Sequence, residues 1–292
     1  PNTRGVYIKA EGRLSKEMRE RCGIDFTFTE DGWKDGNCFI FDSNIYETVL
    51  DLMRVLIARN PSETKYCFIL DSLDGLIMKD DLKKGFEDAH KVAGGALLGA
   101  KFMQKMSIAL AKRGHMAIFI SQVRADIKLD PYSKAPIRQT SATGGNALLH
   151  FANYILEFEP RFKKDLILEN QTQPIDQEKN KILGHMVKIT VKKSPNEKTN
   201  YTLEYPVKYG RTGGNSIWVE REIIDMLYIW GYITRKGAWI NLSDDFHKHL
   251  ESNGFELPQK IQGENNLYKE LELNPELISH LICHFKEMIC EQ

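Results

Sequence analysis

Acidic and amide side chains follow three apolar runs of the sequence, and these residue types handle phosphates and metal ions. Glu11 follows the run at 5–10. Asp71 and then Ser72 come directly after YCFIL, and Gln122 comes directly after AIFIS. An aspartate at a strand end can hold Mg²⁺ beside a nucleotide phosphate, usually through water. A glutamate can orient and deprotonate an attacking water, and an amide can hydrogen-bond a terminal phosphate. The three runs therefore predict phosphoryl chemistry if they end at one sheet edge.

Each of these residues also has a plainer explanation. Asp71 with Ser72 is a moderately specific pair, and Asp71 could instead cap the following helix. Glu11 and Gln122 could each be solvated strand ends. The coincidence of three polar strand ends favours a shared site over three separate explanations.

The elements that would position these residues follow an α/β order. Short apolar runs alternate with stretches of helical spacing, such as 45–56 and 102–110. The apolar runs are 5–10, 38–41, 66–71, 117–122 and 154–159. The middle runs are apolar on both faces, which is typical of central strands in a parallel sheet. This strand–helix–strand order predicts a mainly parallel sheet with helices on both faces.

The pattern changes in the second half of the chain. Residues 185–194 and 200–209 alternate like the strands of a β-hairpin around SPNEKT, and GRTGG then indicates a linker. Beyond the linker the pattern is helical, interrupted by RKGAWINL. We therefore predict a larger domain over 1–212 and a small α+β domain over 213–292.

Residues 125–145 form a long stretch without a helix or strand pattern. Structureless stretches of about twenty residues are usually functional or disordered. This stretch carries Lys128, Lys134 and Arg138. Cations with flexible polar neighbours suit the backbone of a single-stranded nucleic acid. A surface loop without a ligand is the alternative.

The composition is that of an ordinary globular protein, with 42% hydrophobic and 27% charged residues. Lys plus Arg and Asp plus Glu both number 40, so any nucleic-acid binding is local rather than by bulk charge. The five cysteines form no C-x-x-C, which argues against a zinc site or disulfide framework and fits a reducing cytoplasm. No apolar run reaches the length of about 18 residues that spans a membrane, so no membrane partner is expected.

Five segments resemble parts of the RecA family of recombinases. YIKAEGRLSKEMRERCGID is similar to the strand and helix around the family's catalytic glutamate, and YCFILDSLDGL to its Walker B strand. FISQVRADIK followed by TGGNALLHFA resembles the glutamine sensor and the second DNA-binding loop. VKITVKKSPNEK resembles the hairpin that lends a lysine to the neighbouring subunit's nucleotide. The sequence beyond Ile217 resembles the small C-terminal domain of bacterial RecA and phage UvsX-like proteins, so the resemblance runs from Val6 to Phe285.

The resemblance implies a RecA-like ATPase core with a mainly parallel central sheet, plus the small C-terminal domain. It implies ATP and Mg²⁺ as cofactors. Glu11 would be the general base, and Asp71, beside Ser72, would be the Walker B carboxylate that acts on the metal. Gln122 would sense the γ-phosphate.

The resemblance also implies partners. Lys193, with Lys192 beside it, would reach the nucleotide of the next subunit in a helical filament of identical chains. The filament would bind single-stranded and double-stranded DNA, in part through a first loop within 79–96. The residues expected to contact DNA are Arg124, Lys128, Lys134, Arg138, Thr143, Gly144, Gly145 and Asn146. The two glycines would turn the loop sharply into a helix that Asn146 caps, and would not cradle phosphates.

The chain departs from the family pattern at several positions. Ser15 and Met18 stand where the family often has an acidic residue and an aromatic residue near the adenine. Val191 stands where the first transferred lysine is expected. No G-x-x-x-x-G-K-[ST] occurs in the 292 residues. We therefore expect an N-terminally truncated core, a Walker A loop further upstream, and weak ATP binding by the chain as it stands.

The resulting expectation is an ATP-dependent strand-exchange protein that forms filaments on single-stranded DNA in the bacterial cytoplasm, encoded by a bacterium or a phage. When complete, it would be a DNA-dependent ATPase. One alternative is a module that binds DNA or a recombinase without hydrolysing ATP. A second alternative is a RecA-fold replicative helicase, against which the small C-terminal domain and the TGGNALLHF segment argue.

Overall fold

The computed structural model describes residues 2–12, 14–60, 63–83, 94–125, 140–142, 149–176, 178–196 and 198–290. The chain divides into two compact units. The first comprises Pro1–Leu156, Val191–Asn200 and Thr212–Gly214. The second comprises Glu157–Thr190, Tyr201–Arg211 and Asn215–Gln292. The predicted domain division between 212 and 213 stays a prediction.

A five-stranded sheet forms the centre of the first unit. Its strands are β1 (Thr3–Lys9), β2 (Phe26–Thr27), β3 (Cys38–Phe41), β4 (Lys65–Asp71) and β5 (Met116–Phe119). Their order is β2-β3-β1-β4-β5, and all four pairings are parallel. The connecting helices are α1 (Lys16–Cys22), α2 (Tyr46–Ala58) and α3 (Gly94–Lys112). The predicted α/β class with a mainly parallel central sheet is confirmed.

The middle of this sheet is buried because alternate apolar residues of β1 and β4 lie in one core. Val6, Ile8, Phe68 and Leu70 are each at most 1% exposed. They share the core with Met106 of α3. Packing in this core holds β1 and β4 side by side, so that both strands end at the same edge of the sheet.

The expectation that 125–145 contains no strand is wrong at both ends of that stretch. β6 (Val123–Ala125) pairs antiparallel with β7 (Thr140–Ala142). A strand of three residues is too short to show an alternating pattern, which explains why the sequence does not reveal this ribbon.

A second sheet contains the predicted hairpin, β10 (Ile182–Lys193) and β11 (Tyr201–Lys208). The run at 154–159 forms β8 (Ile155–Phe158), which belongs to this sheet in the order β11-β10-β8 and not to the parallel one. A short strand, β9 (Leu166–Leu168), pairs antiparallel with β10.

The C-terminal part of the second unit has its own core. Its helices are α4 (Val219–Ile229), α5 (Asp244–Ser252), α6 (Glu264–Glu272) and α7 (Pro275–Cys290). Its antiparallel sheet consists of β12 (Ile233–Lys236), β13 (Trp239–Leu242) and β14 (Lys260–Gln262). Leu267, Leu271, Leu277 and Leu281 are fully buried in this core. None of the described helices is long and apolar enough to cross a membrane.

Candidate active site

The strand register brings the ends of β1, β4 and β5 to one edge of the parallel sheet. Lys9 of β1 pairs with Asp71 of β4, and β5 runs beside β4 in the same direction. Residues that follow parallel strands lie together at the carboxyl edge of the sheet. The structure therefore brings Glu11, Ser72 and Gln122 together at one edge.

Glu11 accepts side-chain hydrogen bonds from residues that follow β4 and β5. The Ser72 hydroxyl donates to Glu11 Oε1, and Gln122 Nε2 donates to the same oxygen at 3.5 Å. The backbone N–H groups of Ala10 and Glu11 both donate to the Asp71 carbonyl oxygen, at 2.8 and 3.2 Å. Ser72 is only 2% exposed, and a buried hydroxyl requires a partner. These bonds hold the Glu11 carboxylate between the ends of β4 and β5.

Gly75 allows the turn after β4 to approach Glu11 closely. A Cβ at Gly75 would lie 2.8 Å from Glu11 Cγ and 3.1 Å from the carbonyl carbon and oxygen of Ala10. Two of these three atoms belong to the backbone, which cannot rotate aside as a side chain can. Any side chain at this position would therefore displace the Glu11 carboxylate or the end of β1.

Tyr7 holds Asp71 and is a residue that the sequence analysis does not identify. Its hydroxyl donates to Asp71 Oδ2, and its ring packs edge-on against Phe26 with centroids 6.0 Å apart. Burial first, and then the hydrogen bond and negative charge of Asp71, raises the pKa of Tyr7 far above its ordinary value. The phenol therefore remains a proton donor throughout the physiological pH range. The peptide bond between Asp71 and Ser72 is cis.

Asp74, also missed from sequence, fixes the backbone of Gln122. It lies in the 3₁₀ turn Leu73–Gly75 directly after β4, and its Oδ2 accepts the Gln122 N–H at 2.7 Å. The N–H of Leu73 donates to the carbonyl of Ile120 at 2.9 Å. The turn after β4 is thus joined by hydrogen bonds to the residues that follow β5. The only local sequence signal for Asp74 is a second acid three residues beyond Asp71.

The edge carries the donor atoms that Mg²⁺ prefers. Glu11, Asp71 and Asp74 supply carboxylate oxygens, and the nearby Lys9 is paired with Asp42 at 2.7 Å. Mg²⁺ is usually held by one or two carboxylates together with water and substrate phosphates. Within the described ranges, no group of three or more His, Cys, Asp or Glu could hold a metal ion by itself. The residues therefore fit a Mg²⁺ ion that is bound partly by protein carboxylates and partly by a phosphate. Asp71 at the end of β4 is the predicted carboxylate ligand.

Lys193 contacts a different part of the first unit. Its Nζ donates to the carbonyl oxygens of Leu149 and His150, at 2.9 and 2.8 Å. These carbonyls belong to the end of the helical residues 149–151, where backbone acceptors lack partners within the helix. Lys192 is exposed. The predicted contact of Lys193 and Lys192 with a neighbouring subunit's nucleotide stays a prediction.

The two positions assigned to adenine lie at the start of α1. Ser15 is the N-cap of this helix, and its Oγ accepts the N–H of Met18 at 3.2 Å. Met18 is 50% exposed. Ser15 is thus engaged in capping, and both Ser15 and Met18 are exposed to solvent.

Most of the predicted DNA-binding residues lie outside the part of the chain that the structure describes. Arg124 is the exception, and its backbone pairs with Ser141 in the ribbon of β6 and β7. The residues outside the described ranges are Lys128, Lys134, Arg138, Thr143, Gly144, Gly145 and Asn146.

The sequence is similar to proteins named RecA over nearly its whole length. The profile of the RecA N-terminal domain matches residues 5–209. Protein RecA of Frankia alni is 25% identical over 284 residues, which are 97% of this chain and 68% of that protein. Protein RecA of Acidothermus cellulolyticus is 25% identical over 288 residues, 97% of this chain and 69% of that protein. The matched region contains β2 to β5, all of β1 but its first two residues, and all the residues of the candidate site.

Proposed function

Because this chain belongs to the RecA family of DNA recombination and repair proteins, we propose that it is an ATP-dependent strand-exchange protein that forms helical filaments on single-stranded DNA. The observation that carries the proposal is the contact of Glu11 with Ser72 and Gln122 beside the end of β4. Phosphoryl transfer requires a residue that orients the nucleophile, a metal-binding carboxylate and groups that face the terminal phosphate, all in one place.

Glu11 is proposed as the general base. Both side-chain hydrogen bonds described for it use Oε1, which leaves Oε2 to orient a water and accept its proton. Ser72 and Gln122 keep the carboxylate from rotating. As the water oxygen bonds to the γ-phosphorus, the bond to the bridging oxygen breaks and ADP departs. Asp71 would hold the Mg²⁺, which would supply positive charge that offsets the charge on the phosphate oxygens.

Gln122 is proposed to connect the terminal phosphate with DNA binding. Its amide reaches Glu11 Oε1 at 3.5 Å, the long end of the hydrogen-bond range, so a phosphate oxygen can compete for it. Its backbone continues directly into β6, which contains Arg124. The loss of a phosphate partner at Gln122 would therefore be transmitted first to β6.

Contacts with DNA and with the next subunit are proposed from the family resemblance. We place the protein in the bacterial cytoplasm, because that compartment supplies both DNA and ATP. Lys193 and Lys192 would reach the neighbouring nucleotide. The residues proposed for single-stranded and double-stranded DNA are Arg124, Lys128, Lys134, Arg138, Thr143, Gly144, Gly145 and Asn146.

The phosphate-cradling loop would come from residues other than these 292, because the sequence contains no G-x-x-x-x-G-K-[ST]. β5 is an edge strand of the described parallel sheet. On and next to β5, Met116, Ile118 and Ile120 are 57%, 43% and 42% exposed. An open strand edge with apolar side chains can pair with a further strand. A strand added parallel to β5 would end beside Gln122, where a phosphate loop is needed.

Electron microscopy and ATP turnover test the proposal in a protein that includes the upstream coding sequence. We expect ATP-dependent helical filaments on single-stranded DNA and strand exchange with a homologous duplex. Glu11→Gln should keep the filaments and lower the turnover number by about 100-fold or more, because the water loses its base. Isolated rings, or turnover undiminished in Glu11→Gln, would contradict the proposal. Unwinding of forked DNA without strand exchange would identify a helicase instead.

A non-catalytic module is the second candidate, and the lack of a Walker A motif in these residues favours it. Such a module would bind DNA or a recombinase without hydrolysing ATP. DNA binding by the 292-residue chain that is insensitive to ATP and Mg²⁺, with no phosphate loop encoded upstream, would support this candidate over the first.

A further inference from the structure

The hydroxyl of Tyr7 engages one oxygen of the carboxylate that we assign to Mg²⁺. The phenol donates a hydrogen bond to Asp71 Oδ2. Tyr7 of β1 pairs with Ile69 of β4, two residues before Asp71. Residues two apart in a strand share one face and lie about 6.6 Å apart, so the Tyr7 side chain leans along β4 to reach the carboxylate. Among the described residues, this hydrogen bond engages Oδ2 and leaves Oδ1 for a ligand.

Packing fixes the Tyr7 ring, so its hydroxyl has a defined direction. The residue is only 8% exposed, and the ring packs edge-on against Phe26 of β2 with centroids 6.0 Å apart. Lys9, which pairs with Asp71 in the strand register, instead contacts Asp42 at 2.7 Å. The orientation of the Asp71 carboxylate is therefore set by the phenol of β1 and not by the cation beside it.

We propose that Tyr7 is a positioning residue that determines metal specificity, because it restricts Asp71 to one metal–oxygen bond and thereby favours Mg²⁺ over Ca²⁺. The inference rests on the proposed function, which assigns Mg²⁺ to Asp71. Mg²⁺ requires near-octahedral geometry and keeps several waters, whereas Ca²⁺ takes more oxygen ligands and accepts both oxygens of one carboxylate. The hydrogen bond to Oδ2 competes with the second bond that Ca²⁺ would form.

Competition against Mn²⁺ measures the affinities for both ions without relying on catalysis. Electron paramagnetic resonance would follow free Mn²⁺ while Mg²⁺ or Ca²⁺ displaces it from a protein that includes the upstream coding sequence, with equimolar ADP. Loss of a hydrogen-bond partner of a metal ligand commonly weakens metal binding, so Tyr7→Phe should bind Mg²⁺ about tenfold more weakly. Ca²⁺ gains the freed Oδ2, so its affinity should fall less. The ratio of the Mg²⁺ affinity to the Ca²⁺ affinity should therefore decrease.

Tyr66→Phe is the matched control for the loss of a buried hydroxyl. Tyr66 is also 8% exposed, but it lies near the start of β4, at the opposite end of the strand from Asp71. This variant should leave the ratio of the two affinities unchanged. A purely structural effect of Tyr7→Phe would weaken the binding of both ions equally and keep the ratio, which would overturn the proposal. The same decrease of the ratio in Tyr66→Phe would overturn it as well.

Asp71→Asn and a measurement without metal distinguish failure of this inference from failure of the proposed function. Metal binding that is unchanged in Asp71→Asn would contradict the metal site of the proposed function, and this inference with it. Binding that is lost in Asp71→Asn but keeps its Mg²⁺ to Ca²⁺ ratio in Tyr7→Phe would overturn this inference alone. In the metal-free protein, the ¹³Cγ signal of Asp71 should shift in Tyr7→Phe and not in Tyr66→Phe, because the first variant loses the hydrogen bond to this carboxylate. An unmoved signal in Tyr7→Phe would show that the phenol does not hold Asp71 and would overturn the inference, whatever the ion affinities.

Discussion

The two units each contain a cluster of polar side chains, and the two clusters use their hydrogen bonds differently. At the edge of the parallel sheet, Glu11 and Asp71 are partly exposed, and Gln122 is exposed. In the second unit, three histidines of α5 and α7 pack against one another and against aromatic rings. Carboxylates at strand ends retain lone pairs for a ligand, whereas the histidines bond to one another and to Tyr232.

The histidine cluster consists of His249, His280 and His284. The Nε2 atoms of His249 and His280 are 3.1 Å apart, and the Nε2 of His284 is 3.0 Å from the Tyr232 hydroxyl. A hydrogen bond between two Nε2 atoms requires one ring to donate and the other to accept, so the accepting ring is neutral. Burial, followed by the charge of neighbouring histidines, lowers the pKa of His280 and His284. The cluster is thus a structural element that protonation disturbs.

Strand ends and core positions are therefore sensitive to different kinds of change. The site in the first unit should be sensitive to small displacements that leave the fold intact. The C-terminal core should be sensitive to loss of volume and to protonation. The following changes test this difference, from the largest expected effect to the smallest.

A cavity in the C-terminal core should have the largest effect on stability. Leu267 is fully buried, so Leu267→Ala should lower the free energy of unfolding of the second unit by about 2–5 kcal/mol. Urea denaturation followed by tryptophan fluorescence measures this in a Trp33→Phe background, where the remaining tryptophans, Trp218, Trp230 and Trp239, all lie in the second unit. Leu273→Ala is the matched control, because Leu273 is 82% exposed. Equal losses of unfolding free energy in both variants would show that Leu267 does not contribute to the core.

A single methyl group at Gly75 should impair ATP turnover without comparable loss of stability. The new Cβ would displace Glu11, and misplacement by about 1 Å can cost up to about 100-fold in rate. We expect Gly75→Ala to reduce turnover by about 10-fold to 100-fold in the form of the protein that hydrolyses ATP. The double variant Gly75→Ala with Glu11→Gln should be no slower than Glu11→Gln alone, since the displaced group is already lost. Additive losses of turnover would show that Gly75→Ala acts through something other than the Glu11 carboxylate.

Removal of the Tyr7 hydroxyl should have a moderate effect. Tyr7→Phe keeps the ring but leaves Asp71 without its phenol donor, which should cost about 1–2 kcal/mol of stability in the first unit. Because the pKa of Tyr7 is raised, the phenol is protonated from pH 6 to pH 9, and the loss should be constant over that range. Denaturation of both proteins at several pH values checks this. A loss that disappears towards pH 9 would contradict the assigned protonation state.

Acidification should have the smallest effect, and it should act on the second unit. The pKa values of His280 and His284 are lower in the folded than in the unfolded chain, so the unfolded chain binds more protons as the pH falls. Stability is therefore retained above the unfolded pKa of about 6.5 and declines as the pH falls below it. His284→Gln should reduce this decline, whereas His247→Gln, whose ring faces Glu251, should not. An identical pH profile in His284→Gln would exclude the cluster as the cause.

The sequence predicts the parts of the site that depend on local order. Glu11, Ser72 and Gln122 are found from sequence because each follows an apolar run, and parallel strands bring such residues to one edge. Tyr7 and Asp74 are not found, because their partners lie 64 and 48 residues away along the chain. The hydrophobic periodicity of a sequence does not show which side chain of one strand contacts the end of another strand.

The same limit applies to the hairpin lysine and to the short strands. The strands of the hairpin alternate clearly, so β10 and β11 are predicted with their approximate bounds. The contacts of Lys193 with Leu149 and His150 span 44 and 43 residues and follow from packing alone. β6 and β7 have three residues each, and only their pairing identifies them as strands.

Paramagnetic relaxation by Mn²⁺, used in place of Mg²⁺, tests most directly whether the ends of β1, β4 and β5 form one metal and phosphate site. With Mn²⁺ and ATP added to a protein that includes the upstream coding sequence, we expect strong broadening of the backbone amide signals of Glu11, Ser72 and Gln122. The amides of β13 in the second unit should stay sharp, and Asp71→Asn should remove the broadening at the sheet edge. Sharp signals for all three residues, or broadening that persists in Asp71→Asn, would contradict the account.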